Sequence, residues 1–315
     1  MSKAERQRIF REWKRGEYVR LARGLFILRA DLEALSLPEE LILRVVVHAC
    51  AAPKSVVSGR SAALLWDMPI VESPARFREH KVELTSERAR ARTTTAVTFR
   101  LLSGSYASAV EEKSTDFGTV RLTDALTTAL DLARWATEGE AVRALDHGLQ
   151  HELFALADVR TRVAEMRRLS GWEKIRRAAL LASPGSESPR ETDLKLLLHE
   201  LGLPAPWQQV DIFARGGAWI GRADFFFPEL ALVIEYDGRE KYQLDPDDPH
   251  ATRAKEHEQG EQYRINGIIP LYVCDETLRD GTAAELITEQ VQQLHGKVAP
   301  YPEHRWSGGH PAWEC

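Results

Sequence analysis

Residues 188–242 read SPRETDLKLLLHELGLPAPWQQVDIFARGGAWIGRADFFFPELALVIEYDGREKY, and this stretch decides the fold class. Pro189 suits the first turn of a helix, residues 191–201 carry Leu194, Leu197, Leu198 and Leu201 at helical spacing, and Gly202 ends the run. Three strand-like segments follow at 207–213, at 220–227 after the Gly216-Gly217 turn, and at 230–236, the last apolar enough for a central strand. A helix over 256–266 and a strand over 268–274 complete an αβββαβ order. Trp207, Trp219 and the run Phe225 to Phe227 are expected in the core.

Two acids interrupt the apolar strands. Asp224 and Glu235 stand eleven positions apart with Pro228 in the turn between them, a hairpin spacing. Asp237 follows Glu235 by two and, because side chains alternate along a strand, falls on the same face. Three carboxylates are therefore expected to converge. Like charges a few ångströms apart repel by about 4 kcal/mol at an effective dielectric near 20, and a hard Mg²⁺ or Mn²⁺ ion, which prefers oxygen ligands, removes that conflict. Two ordinary readings stand beside this one. Glu191, just inside the helix, also suits the helix dipole, and Asp237-Gly238 is also a turn pair.

Outward from this stretch, the Ser-, Pro- and Gly-rich run ASPGSESPRE marks the clearest border in the chain. Upstream, Ile9, Phe10 and Trp13 share one side of a short helix closed by Gly16. Tyr18 to Leu28 then reads as a hairpin around an Arg23-Gly24 turn, followed by helices over 39–52 and 58–66. Strand patterns fill 76–102. Two helices with Leu126, Leu130 and Leu132 inward fill 123–150, and another helical stretch runs over 157–181. The expected division is 1–72 as a winged-helix-like region, 73–182 as a middle α+β region, 183–300 as the αβββαβ domain, and 301–315 as an irregular tail. The class is α/β by its last domain and α+β taken whole.

The chain has 315 residues, 43% hydrophobic and 28% charged, proportions that exclude a disordered or low-complexity protein. Net charge is −5, so any nucleic-acid surface must come from local segregation. Such segregation exists: residues 1–29 hold nine bases against three acids, and residues 221–260 hold ten acids against five bases. Cys50, Cys274 and Cys315 form no CxxC pair, which removes a disulfide framework and a thiolate zinc site. The N-terminus is charged where a signal peptide needs an apolar run, and no segment reaches the roughly 18 apolar residues of a membrane span. A cytoplasmic protein without membrane contact is expected.

The run 188–242, within 183–278, resembles the endonuclease-like domain related to the Vsr very-short-patch-repair nucleases, in the PD-(D/E)XK superfamily. The resemblance rests on a first-helix glutamate, an aspartate, and Glu-x-Asp-Gly followed by Lys-Tyr, here Glu191, Asp224, Glu235, Asp237, Gly238, Lys241 and Tyr242. It implies an Mg²⁺- or Mn²⁺-assisted endodeoxyribonuclease in which Asp224, Glu235 and the Tyr236 carbonyl hold the metal. Glu191 acts through water or a second ion, Asp237 adds a ligand or orients water, Lys241 stabilises the transition state, and Arg222 and Arg239 clamp DNA phosphates. Members commonly carry lysine where Asp237 stands, and a basic-acidic pair near Gln259 and Gly260. The segments GEYVRLARGLFIL and VSGRSAALLWDMP are similar to the N-terminal region of AbiEi-type antitoxin proteins of type IV toxin–antitoxin systems. This implies DNA contacts through Arg15, Arg20 and Arg23, a cognate toxin or defence-system partner, and the rival function of an antitoxin or transcriptional regulator with a silent nuclease fold. A homodimer is left open.

Overall fold

The computed structural model describes residues 2–69, 78–86, 92–101, 109–238 and 249–313, and the chain divides into two compact units. The first takes in residues 1–144 and Leu153–Arg176, the second Leu145–Glu152 and residues from Arg177 onward.

In the first unit, the helix Lys3–Lys14 is opened by a Ser2/Glu5 capping box. The two-stranded hairpin β1 (Tyr18–Ala22) and β2 (Leu25–Leu28) comes next, turning at Gly24 with φ +80°. Two further helices follow, Arg29–Ala34, which the sequence reading lacked, and Leu37–Ala51. The remaining strands are β3 (Val56–Val57), β4 (Val82–Ser86), β5 (Arg92–Thr93), β6 (Val97–Leu101), β7 (Val110–Thr115) and β8 (Gly118–Thr123). They form one six-stranded sheet in the order β5-β6-β4-β3-β8-β7. The border expected at 72/73 has no counterpart here. β3 pairs with β4 on one side and β8 on the other, and Val45, Val57, Leu65, Leu84 and Leu122 share one core, so apolar burial welds the two regions together. Buried charge in this unit is paired: Arg60 grips Glu140 with two N–H donors at 2.6 and 2.8 Å, and Arg100 holds Glu83 at 2.7 Å. An open cleft of about 440 Å³ is lined by Trp66, Asp124, Phe154 and Arg162, and by none of the expected catalytic residues.

The second unit is built on the helix Pro189–Glu200 and a five-stranded sheet. Its strands are β9 (Trp207–Phe213), β10 (Trp219–Phe227), β11 (Leu232–Asp237), β12 (Ile269–Cys274) and β13 (Trp306–Pro311), in the order β12-β11-β10-β9-β13. β9, β10 and β11 run antiparallel to their neighbours among them, and β12 is parallel to β11, joined by the helix Pro249–Ile265 as a parallel crossover requires. β11 is an apolar interior strand between β10 and β12, with Leu232, Val233 and Ile234 fully buried. Two expectations are corrected. The tail read as irregular contains β13, antiparallel to β9 along its length. The Ser-Pro-Gly run read as the clearest border is packed, with Ser183 and Ser186 buried and Ser186 accepting the amide of fully buried Gln208 at 3.0 Å, and the division between the units falls just before it, between Arg176 and Arg177. The stretch 157–181 is likewise not one helix but two, Leu156–Glu165 and Trp172–Leu180, divided by a 3₁₀ turn and Gly171 at φ +85°.

Candidate active site

The expected acidic residues lie in the second unit, and the register of the sheet places them. Phe225 faces Ile234 across the β10–β11 ladder, so the next cross-strand pair is Asp224 and Glu235. Residues opposite each other on antiparallel strands project to one face, which brings these carboxylates together. At this point side chains complete the ladder. The Tyr236 N–H donates to Asp224 Oδ2 at 2.9 Å, and the Asp224 N–H donates to Glu235 Oε2 at 3.3 Å. Two acids thus satisfy the backbone of each other's strand. Glu235 Oε1 accepts the Tyr263 hydroxyl at 3.3 Å, and that hydroxyl receives the Gln259 amide at 3.1 Å, a chain of donors from the helix Pro249–Ile265. Gln259, in the region where a basic-acidic pair was sought, acts on the site through Tyr263. Burial and the Glu235 charge together push the Tyr263 phenol well above its ordinary range, so it stays a donor.

Glu191 caps its own helix and also faces the site. Its Oε1 accepts the Ser188 hydroxyl at 2.9 Å and its Oε2 the Glu187 N–H at 2.9 Å, the arrangement of a capped helix start. Gln209, on β9, was not foreseen. Its amide nitrogen donates to Glu191 Oε2 at 3.2 Å and to Asp224 Oδ1 at 3.4 Å, bridging the two acids. Burial first, then the charge of Asp224, raises the Glu191 carboxyl to about 7, against the pull of its Ser188 and Glu187 hydrogen bonds. No sequence pattern marks Gln209; its signal is a backbone torsion.

Asp237 shares the strand of Glu235, and its Oδ1 is buried with no hydrogen-bond partner. Among the described residues no group of three His, Cys, Asp or Glu side chains that could hold a metal ion is found. The donor set nonetheless fits a hard divalent cation. Mg²⁺ keeps several waters and needs only one or two carboxylates from the protein, and the partnerless Asp237 oxygen and the mutual repulsion of Glu191 and Asp224 both call for positive charge.

Of the expected phosphate-binding residues in this unit, Arg222 is half-exposed and pairs with Glu187 at 2.7 Å. A pair so exposed is worth about 0–1 kcal/mol, and a phosphate could displace the carboxylate. Arg239 and Lys241 lie outside the described residues. Trp219, expected in the core, is 60% exposed and donates its indole N–H to Asp211 at 2.8 Å, whereas Phe225, Phe226 and Phe227 are buried as expected. In the first unit, Arg15 closes the helix Lys3–Lys14, Arg20 lies on β1 and Arg23 in the hairpin turn. All three are exposed.

No family model matches the chain. It is 32% identical over 113 residues to uncharacterized proteins of Mycobacterium tuberculosis strains CDC 1551 / Oshkosh and H37Rv. The match takes in 36% of this chain and 41% of each relative's length, so the chain spans under half of the curated relatives it matches. Among the described residues no helix is long and apolar enough to cross a membrane.

Proposed function

We propose that this is a DNA-directed protein whose second unit is a divalent-cation-dependent endodeoxyribonuclease of the PD-(D/E)XK type, hydrolysing phosphodiester bonds. The observation that carries the reading is the cross-strand pair Asp224 and Glu235, each bound to the other strand's amide, with Glu191 coupled to Asp224 through Gln209. Asp224, Glu235 and the Tyr236 carbonyl would hold Mg²⁺ or Mn²⁺, which when bound supplies Lewis acidity and an acidified water. The chain's own groups do the rest. Glu191, joined to Asp224 through Gln209, would act through water or a second ion. Tyr263 keeps Glu235 oriented. Lys241 carries the electrostatic role implied by the resemblance, and Arg15, Arg20 and Arg23 supply phosphate contacts that carry no sequence information.

The test is plasmid cleavage. The full chain with Mg²⁺ or Mn²⁺ should nick supercoiled DNA, and Asp224→Ala or Glu235→Ala should reduce the rate at least about 100-fold, the scale of losing an electrostatic stabiliser, without changing the circular dichroism spectrum. No cleavage at any salt concentration overturns the reading. Two features then favour an AbiEi-like antitoxin or regulator with a silent nuclease fold: Asp237 in place of lysine, and the lack of a three-member acidic group among the described residues. That protein would still give a salt-dependent gel shift, weakened when Arg20 and Arg23 are neutralised.

A further inference from the structure

Gln209 sits in the middle of β9 with φ +56°, a left-handed conformation that residues with a Cβ rarely adopt inside a strand. Both neighbouring strands skip it. Gln208 and Val210 pair with Phe225 and Ala223 on one side and with His310 and Gly308 on the other, and Gln209 takes no place in either ladder. Across from it Gly309 is also left-handed, at φ +78°, where a Cβ would stand 2.6 Å from the Gln208 carbonyl oxygen and 2.7 Å from Val210 Cγ2. Two strands are therefore shaped around one twisted residue. What the twist achieves is the placement of the Gln209 amide between Glu191 and Asp224. The placement leaves Gln209 Oε1 buried with no partner, as Asp237 Oδ1 is. Buried acceptors without donors are uncommon, and one carried by the residue that bridges two acids points to a positively polarised ligand.

We propose that Gln209 is a positioning residue for the cation: its strained backbone fixes how far Glu191 stands from Asp224, and so sets the affinity of the acidic pair for a divalent ion. This rests on the cation-dependent reading above. Strain kept for function and strain kept for folding differ in sign. Glycine accepts the left-handed torsion freely, so Gln209→Gly relieves the backbone while deleting the amide.

The experiment titrates the full chain with Mn²⁺, following free Mn²⁺ by electron paramagnetic resonance, alongside thermal unfolding. Gln209→Gly should weaken Mn²⁺ binding about 10–100-fold, the range for losing a group that orients metal ligands, with an unfolding midpoint equal to or above that of the natural chain. Gln209→Asn tolerates the torsion but is one methylene too short for the bridge, and should weaken binding in the same way. Undiminished Mn²⁺ affinity in Gln209→Gly overturns the proposal while leaving the cation site in place. A lowered midpoint in Gln209→Gly overturns it too, making Gln209 a structural residue. Failure of the natural chain to bind Mn²⁺, or equal binding by Asp224→Ala, removes the cation reading itself and this proposal with it.

Discussion

Glu191 shows how one side chain is held between folding and chemistry. Its carboxyl is raised from 4.5 to about 7, so between those values the folded chain holds a proton that the unfolded chain has lost. Stability from this group is complete below about 4.5 and is lost as pH rises through 7; the full shift corresponds to about 3 kcal/mol. Thermal midpoints of Glu191→Gln should consequently be flatter between pH 5 and 8 than those of the natural chain, and an unchanged slope would show that Glu191 is not the titrating group. The acids themselves were legible in the sequence, because a carboxylate in an apolar strand is conspicuous. Their detailed ties were not. Residue types give no notice that Asp224 and Glu235 would complete each other's ladder, nor that the second glutamine of PWQQVDIF would twist out of its strand.

At the scale of elements, the helices and the three consecutive strands around the site were readable from periodicity, and the register that pairs Asp224 with Glu235 follows from a short turn. β13 was hidden by its own composition. WSGGHP reads as loop because strands avoid glycine and proline, yet Gly308 and Gly309 are there since both are left-handed, at φ +72° and +78°. The two should differ on substitution. Gly308→Ala meets only the backbone penalty of about 1–2 kcal/mol, whereas Gly309→Ala adds a collision with the Gln208 carbonyl and should cost about 2–4 kcal/mol in urea unfolding. Equal losses would mean that β13 shifts to admit the methyl group. The Ser-Pro-Gly run has the residue types of a linker yet is packed: Ser183 and Ser186 are buried, the Ser183 N–H donating to Asp146 and the Ser186 hydroxyl accepting the Gln208 amide.

At the scale of the molecule, contacts between residues far apart in sequence decide what belongs to the second unit. Lys195 lies in the leucine-rich part of its helix and is fully buried, and its ammonium bonds Asp146 at 2.6 Å, forty-nine residues upstream. Asp146 also accepts the Thr192 hydroxyl at 2.7 Å and the Ser183 N–H at 2.8 Å. Burial lowers the lysine's proton affinity while the aspartate restores part of it. Lys195→Met should cost about 3–5 kcal/mol in chemical denaturation, since it strands a buried carboxylate, and a loss under about 1 kcal/mol would show that water reaches the pair. One practical consequence follows for anyone isolating the acidic half. Cutting the gene before Ser183, the natural choice by inspection, discards the eight residues Leu145–Glu152 and with them the counter-charge of Lys195. The fragment to express begins instead ahead of Leu145, so that the isolated piece keeps its own anchor.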